Sequence, residues 1–103
     1  MKRNALRTVP KEWRAVARVF VALGDEHRQR ILLAFDKGER LTVGQITDGA
    51  TLSRPAVSHH LKILRAAGVL LAERSGREVY LRVNRAMLDE TLAAVLEYVR
   101  TQA

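Results

Sequence analysis

The chain has 103 residues, enough for one small domain with its own hydrophobic core. It contains no cysteine, which excludes disulfide bonds, thiolate metal sites and thiol redox switches. Its formal net charge is +7 and arginine outnumbers lysine, so a polyanionic partner is favoured over an acidic protein or a membrane.

The sequence contains no run of about 18 apolar residues of the kind that spans a membrane. Its basic start is not followed by the apolar segment of a secretory signal. We therefore expect a cytoplasmic protein without membrane contact.

Positive charge is concentrated in two parts of the chain. Residues 1–23 hold six basic residues against one acid, and residues 53–82 hold six against two. Residues 1–10, with Lys2, Arg3 and Arg7, predict a flexible basic arm ahead of one domain formed by residues 11–103.

The first helix is predicted to begin at Pro10 and to end at Gly24. Its apolar residues recur with helical spacing, which indicates one face for packing or subunit contact: Trp13, Val16, Ala17, Phe20 and Leu23. The second helix has Asp25 and Glu26 in its first turn, where acids suit the helix dipole, and Gly38 at its end. Its predicted buried side consists of Ile31, Leu32 and Phe35.

A short third helix is predicted from about Val43 to Asp48. Thr42 and Gln45 have the spacing of a capping box, in which each side chain pairs with the other's backbone N–H. Gly49 and the residues up to Leu52 then form the turn of a helix-turn-helix.

The fourth helix has the clearest signals. Ser53 can cap its first turn, Pro55 fits that turn, and Gly68 can end the helix in the left-handed conformation. One side is apolar, through Val57, Leu61 and Leu64. The opposite side carries short polar and basic residues: Arg54, Ser58, His59, Lys62 and Arg65. This layout is typical of a helix that reads the DNA major groove, although a surface helix with solvated charges is the alternative.

After Gly68 the hydrophobic period changes from 3.6 to 2, which predicts two strands joined by a turn at Ser75-Gly76-Arg77. Arg74 and Arg77 then lie near the tip of a β-hairpin. Directly after a helix-turn-helix, this hairpin indicates a wing that touches the DNA backbone or minor groove. An ordinary hairpin with a solvated tip is the alternative.

Asn84 can cap a final helix whose apolar face is too broad for one small monomer to bury. With the first helix, this face predicts a homodimer interface. We assign to it Trp13, Val16, Phe20, Leu88, Leu92, Val95, Leu96 and Val99. The predicted fold is mainly α (α+β), a winged helix-turn-helix of about five helices and a two-stranded hairpin, in the order α-α-α-α-β-β-α.

The segments Leu23–Leu32 and Leu52–Gly68, with the hairpin through Tyr80, resemble the ArsR family of winged-helix repressors in bacteria and archaea. Agreement in element order extends from about residue 11 to residue 100. The resemblance implies a homodimer on double-stranded DNA, bound to an inverted repeat in a promoter and therefore associated with the nucleoid. Carried over position by position, with the basic residues beside them, the DNA contacts are Arg54, Pro55, Ser58, His59, Lys62, Arg65, Arg74 and Arg77. His60, at the edge of the packed side, is either structural or a phosphate contact.

Family members usually repress until an inducer releases them from DNA, and many sense metals through cysteine or histidine. Here cysteine is absent, and the last helix offers Asp89, Glu90 and Glu97 without histidine. Carboxylates alone make a poor zinc site, so we predict no metal and no cofactor. A small-molecule inducer stays open and unidentified.

Two other functions fit a winged helix. A protein-interaction module would carry an acidic or apolar reading face, whereas this one is basic. A nonspecific architectural DNA-binding protein would favour a lysine-rich tail and minor-groove wedges. An enzyme is not predicted, because the sequence shows no nucleophile–base set and no phosphate-binding loop.

Overall fold

The computed structural model describes residues 5–103. Over this range five α-helices and three β-strands follow one another: α1 Val16–Leu23, α2 Glu26–Leu33, β1 Arg40–Thr42, α3 Val43–Asp48, α4 Arg54–Ala66, β2 Leu70–Ser75, β3 Glu78–Val83 and α5 Arg85–Thr101. The predicted mainly α winged-helix fold is confirmed, with one strand added. None of these helices is long and apolar enough to cross a membrane.

The first helix is shorter than predicted. Pro10 is extended and begins a 3-10 turn at Lys11–Trp13, in which its carbonyl accepts the Trp13 N–H at 3.0 Å. The α-helix starts only at Val16. The prediction of one helix from Pro10 was therefore wrong, because Trp13 belongs to a separate turn whose ring packs edge-to-face on Tyr98, with centroids 5.7 Å apart. Of the predicted basic arm, Lys2 and Arg3 lie outside the described residues, and residues 5–10 are exposed without regular secondary structure.

The second helix begins and ends at other residues than the sequence predicted. Asp25 is its N-cap rather than part of its first turn, since the carboxylate accepts the Arg28 N–H at 3.1 Å. The helix ends at Leu33, and Gly38 lies beyond it with φ +73°, in the loop that leads to β1. A glycine in the left-handed region here indicates a turn, which the sequence pattern did not separate from a helix end.

The third helix has the predicted bounds. Thr42 Oγ1 accepts the Gln45 N–H at 3.1 Å, and Gln45 Oε1 accepts the Thr42 N–H at 2.8 Å. This reciprocal pair satisfies two of the backbone donors that every helix start leaves free.

The core lies under α4 and the sheet. Val57 and Leu64 are fully buried and Leu61 is 3% exposed, so the predicted apolar side of α4 faces inward. The other buried members of the cluster are Val19, Ala22, Ile31, Ile46, Val69, Leu70 and Leu81. Because α4 packs on α1, α2, α3 and β2, the core fixes which side of α4 faces solvent.

The sheet has three strands in the order β1-β3-β2, all antiparallel neighbours. Strand β1 was not predicted from the sequence. The predicted two-stranded hairpin is therefore part of a three-stranded sheet. Strand β1 pairs Leu41 with Leu81 and Thr42 with Tyr80. Three residues are too few to show a period of 2, and their partner strand lies far along the chain. The hairpin itself is confirmed, with Gly76 at φ +62° in its turn.

The last helix begins at the predicted cap, where Asn84 Oδ1 accepts the Met87 N–H at 3.4 Å. Within Arg85–Thr101, all of which the structure describes, Thr91 alone is buried. Several apolar side chains of this helix stay largely exposed, namely Leu92, Leu96, Tyr98 and Val99.

Candidate nucleic-acid interface

The start of α4 is held by local hydrogen bonding. Ser53 Oγ accepts the Ala56 N–H at 3.3 Å, and Pro55 occupies the first turn. At the other end Gly68 has φ +79°, and a Cβ there would stand 3.3 Å from Met87 Cε. Both ends of the helix are thus defined, as the sequence predicted.

The outer side of α4 presents an exposed polar surface. Val57, Leu61 and Leu64 point into the core, so the opposite side of the helix points outward. All six α4 residues predicted to contact DNA are exposed, and we call them the α4 outer face: Arg54, Pro55, Ser58, His59, Lys62 and Arg65. The first turn contains no acid, so nothing there repels a phosphate or competes for the helix N-terminus.

His60 does not belong to that face. Its side chain is 13% exposed, and its Nδ1 lies 3.2 Å from Nη1 of Arg28. Burial lowers the pKa of His60 below its usual value, an effect that the carboxylate of Asp25, 4.0 Å from Nδ1, partly opposes. An N···O distance of 4.0 Å would suggest an ion pair, but the shorter contact to a guanidinium favours a neutral ring. Of the two roles predicted for His60, the geometry favours the structural one.

The wing places Arg74 near the end of β2 and Arg77 in the turn, both exposed. Its base approaches α4, because Lys62 and Arg65 line one surface groove together with Leu70 at the start of β2. The strand of the wing and the basic end of α4 are therefore neighbours on one side of the domain.

A charge network at the base of the wing was not predicted. Glu73 Oε1 lies 3.0 Å from Arg40 Nη1, and Glu73 Oε2 lies 3.5 Å from Arg82 Nε. Arg40 also lies 4.1 Å above the centre of the Tyr80 ring. One carboxylate thus faces two guanidiniums across the sheet. The sequence could not show this, because β1 was not recognised as a strand.

The predicted dimer residues differ in how much surface they offer. Phe20, Leu92, Leu96 and Val99 are 41–54% exposed. Trp13, Leu88 and Val95 are half-buried. Val16 is 6% exposed and packs within its own chain, so it offers almost no surface to a second one.

Asp25 and three histidines lie close together where α2 packs on α4, without the arrangement of a metal site. The Arg28 backbone N–H holds the pKa of the Asp25 carboxyl below its usual value. The ring of His60 lies 5.6 Å from that of His27 and 5.7 Å from that of His59, between centroids. Within residues 5–103, no three histidine or carboxylate side chains are arranged to hold a metal ion. Arg28 was not among the predicted site residues, although it lies in the segment that carries the family resemblance.

Comparison with known sequences agrees with this arrangement. A sequence profile described as "Bacterial regulatory protein, arsR family" matches residues 25–70. Transcriptional repressor SdpR of Bacillus subtilis is 35% identical over 81 residues, which cover 79% of this chain and 89% of SdpR. The HTH-type transcriptional repressor SmtB of Mycobacterium tuberculosis is 42% identical over 69 residues, which cover 67% of this chain and half of SmtB.

Solved structures similar to this chain include regulators of the same kind. An ArsR-like transcriptional regulator from Rhodococcus sp. RHA1 superimposes with a TM-score of 0.76 at 32% identity, over 85% of this chain and 81% of that one. The fold, the exposed basic helix and these relatives make the chain a DNA-binding transcriptional regulator and not an enzyme. It belongs to the ArsR family of bacterial regulatory proteins.

Proposed function

We propose that the protein is a homodimeric repressor that binds an inverted-repeat operator in a promoter, on the nucleoid. One observation carries the proposal: a helix with a buried apolar side presents five exposed polar or basic residues, together with Pro55, in a continuous outer face. Genomic SELEX, followed by footprinting on the protein's own promoter, tests it. Recovery of an inverted repeat supports the proposal, and recovery of random sequence contradicts it.

We assign two kinds of contact to the proposed interface. Near the start of α4, the side chains of Ser58 and His59 are short, so they can meet base edges while the helix lies deep in the major groove. Arg54 and Pro55 lie at the end of the helix that enters the groove. Lys62 and Arg65 further along the helix are suited to phosphates. In this division, Ser58 and His59 provide the preference for a DNA sequence, and Lys62 and Arg65 provide the affinity for any DNA.

The wing is proposed to touch the DNA backbone through Arg74 and Arg77. Log affinity falls with log salt by about 0.9 per phosphate contact. We expect Arg74→Ala or Arg77→Ala to weaken binding to all DNA sequences alike. Each should flatten the salt slope by about 0.9 for every phosphate that is no longer neutralised, which is about 1.8 for a dimer. Titrations at several salt concentrations measure this slope.

Arg82→Ala is the matched control for the wing. It removes the same charge from the same hairpin, but from the base, where Arg82 faces Glu73. We expect its salt slope to equal that of the native protein. If the tip variants leave the slope unchanged as well, the wing does not touch the backbone.

The dimer is supported by the apolar side chains left exposed on two helices. Phe20 on α1 and Leu92, Leu96 and Val99 on α5 are each more than two-fifths exposed. Exposed apolar surface of this extent is typical of subunit contacts in small domains. Trp13 and Tyr98 connect the turn before α1 to the far end of α5, which brings the two helices into one surface.

An inducer of this protein is proposed to be an organic molecule rather than a metal ion. The donor set supports this, because the chain lacks cysteine and α5 lacks histidine. A cavity of about 410 Å³ between α2, α3 and β1 offers room for such a molecule. Its wall includes Gly49–Leu52, the turn that leads into α4.

We expect chelators to leave DNA binding intact and zinc, nickel, cadmium or arsenite not to release the operator. Imidazole and thiolate are the ligands that these thiophilic or borderline metals prefer. Operator titrations with and without each metal measure this. A stoichiometric metal that changes operator affinity tenfold, about 1.4 kcal/mol of coupling, would overturn the prediction.

A further inference from the structure

Three helices meet at the side chain of Arg28. Its Nε donates to the carbonyl of Ala22 at 2.6 Å and its Nη2 donates to that of Val21 at 3.3 Å. Both carbonyls belong to the last turn of α1, where helix C=O groups need partners from outside the helix, and that of Val21 also accepts the Gly24 N–H at 3.3 Å. The remaining Nη1 reaches across to His60 on α4. One guanidinium on α2 therefore joins the end of α1 to the middle of α4.

The arrangement fixes which form of His60 is present. A guanidinium only donates hydrogen bonds, so Nδ1 of His60 accepts from Arg28 and must carry a lone pair. The ring is then neutral, with its proton on Nε2. Burial of the ring, which disfavours its charged form, acts in the same direction.

His60 follows directly after His59 of the α4 outer face. A rotation or translation of α4 that breaks the Arg28–His60 contact would also move the side chains that reach for base edges. Base contacts require positions accurate to about 0.5 Å. Phosphate contacts by long, flexible basic side chains tolerate larger shifts, so such a movement reduces sequence preference more than general affinity.

We propose that Arg28 and His60 are positioning residues for operator recognition, which hold α4 in register with the end of α1 without touching DNA. The inference rests on the proposed function, since it assumes that α4 reads an operator. It goes further by linking the helix that reads DNA to α1, which is half of the proposed subunit interface. A change in how two subunits sit against each other would then reach α4 through a single side chain.

Two substitutions of His60 distinguish the effect of its hydrogen bond to Arg28 from the effect of its side-chain volume. His60→Asn keeps an acceptor oxygen near the place of Nδ1, whereas His60→Leu keeps most of the volume and has no acceptor. We expect His60→Leu to reduce the ratio of operator affinity to random-DNA affinity at least tenfold. His60→Asn should keep that ratio within about threefold, since an amide oxygen can accept from Arg28.

His27→Asn is the matched control. His27 is a neighbouring histidine on the first turn of α2, whose ring lies 5.6 Å from that of His60 and which is not among the proposed DNA contacts. We expect it to leave the affinity ratio within about threefold. Competition titrations with both DNAs at one salt concentration, together with melting temperatures, measure all three variants.

The pH dependence gives a second measurement that does not require His60→Leu to fold. The charged and titratable groups around His60 are Asp25, His27 and Arg28 from α2 and His59 on its own helix, while α1 contributes backbone carbonyls. Because the pKa of His60 is lowered in the folded protein, an unfolded chain binds the proton more readily. The hydrogen bond is fully present above the ordinary value of 6.5 and disappears as the pH falls below it through the lowered pKa.

The native protein should therefore lose operator preference on acidification, and His60→Asn should lose less over the same range. The proposal is contradicted if His60→Leu lowers both affinities equally, or if both proteins have the same pH profile. If the native protein itself shows no operator preference at neutral pH, the proposed function fails instead. The two failures are thus distinguishable.

Discussion

The double variant Ser58→Ala/His59→Ala should keep the fold and lose most of its preference for the operator over random DNA. Both side chains are exposed on the side of α4 opposite Val57 and Leu61, so their removal leaves the core intact. Removing a base-reading contact costs about 1–3 kcal/mol against the specific site. General affinity, which basic side chains carry, should hardly change.

The matched control removes charge from the same helix. Lys62→Ala/Arg65→Ala lies one to two turns further along the outer face and should weaken operator and random DNA by similar factors. Competition titrations at one salt concentration, with melting temperatures, compare the two double variants. The competing interpretation makes His59 a solvated residue and Ser58 a local backbone partner. A full operator preference in the Ser58/His59 variant would favour that interpretation.

Leu92→Glu/Leu96→Glu should convert the protein into a monomer and reduce operator affinity at least a hundredfold. The two side chains are 41% and 45% exposed in the single chain, so the charges are tolerated there and disfavoured only in an apolar interface. Two half-sites bound by one dimer gain about 10²–10⁴ in affinity over independent binding. Light scattering at micromolar concentration and operator titration measure the two effects.

Leu33→Glu controls for the added charge. Leu33 ends α2, is 81% exposed, and lies outside the predicted interface. It should leave both the dimer and operator affinity unchanged, apart from a small electrostatic effect on DNA binding. A native protein that is a compact monomer at micromolar concentration would contradict the dimer and, with it, the inverted-repeat site.

The parts of the fold that could be predicted depend on local signals. Thr42 and Gln45 gave the start of α3, and Ser53 and Gly68 gave the limits of α4, because capping chemistry acts over three or four residues. The hairpin was also predictable from a local signal, because its turn contains Gly76.

The parts that were missed depend on partners far along the chain. Strand β1 exists because Leu41 pairs with Leu81, and three residues carry no pattern of their own. The start of α1 was misplaced because Trp13 packs on Tyr98, a contact that no local spacing reveals. Tertiary contact overrode the helical spacing in that case.

The candidate site was predictable only in its outward face. A period of 3.6 separates the exposed Ser58 and His59 from the buried Leu61. The inward contact of His60 was not predictable, because Arg28 lies 32 residues away and comes close only through the packing of α2 on α4. Which base each outward residue meets depends on DNA and stays a prediction.

The pairing of β1 has a consequence for the cost of binding. Thr42 is at once the last residue of β1, paired with Tyr80 on the wing, and the residue that caps α3. The wing is thereby attached to the helix-turn-helix through backbone hydrogen bonds, and its own residue Leu81 belongs to the core and is 2% exposed. Such a wing has little freedom to lose when DNA arrives, so less conformational entropy opposes association than with a free hairpin. The domain is prepared to dock as a rigid body, and its association rate should depend on electrostatic steering rather than on a search through wing conformations.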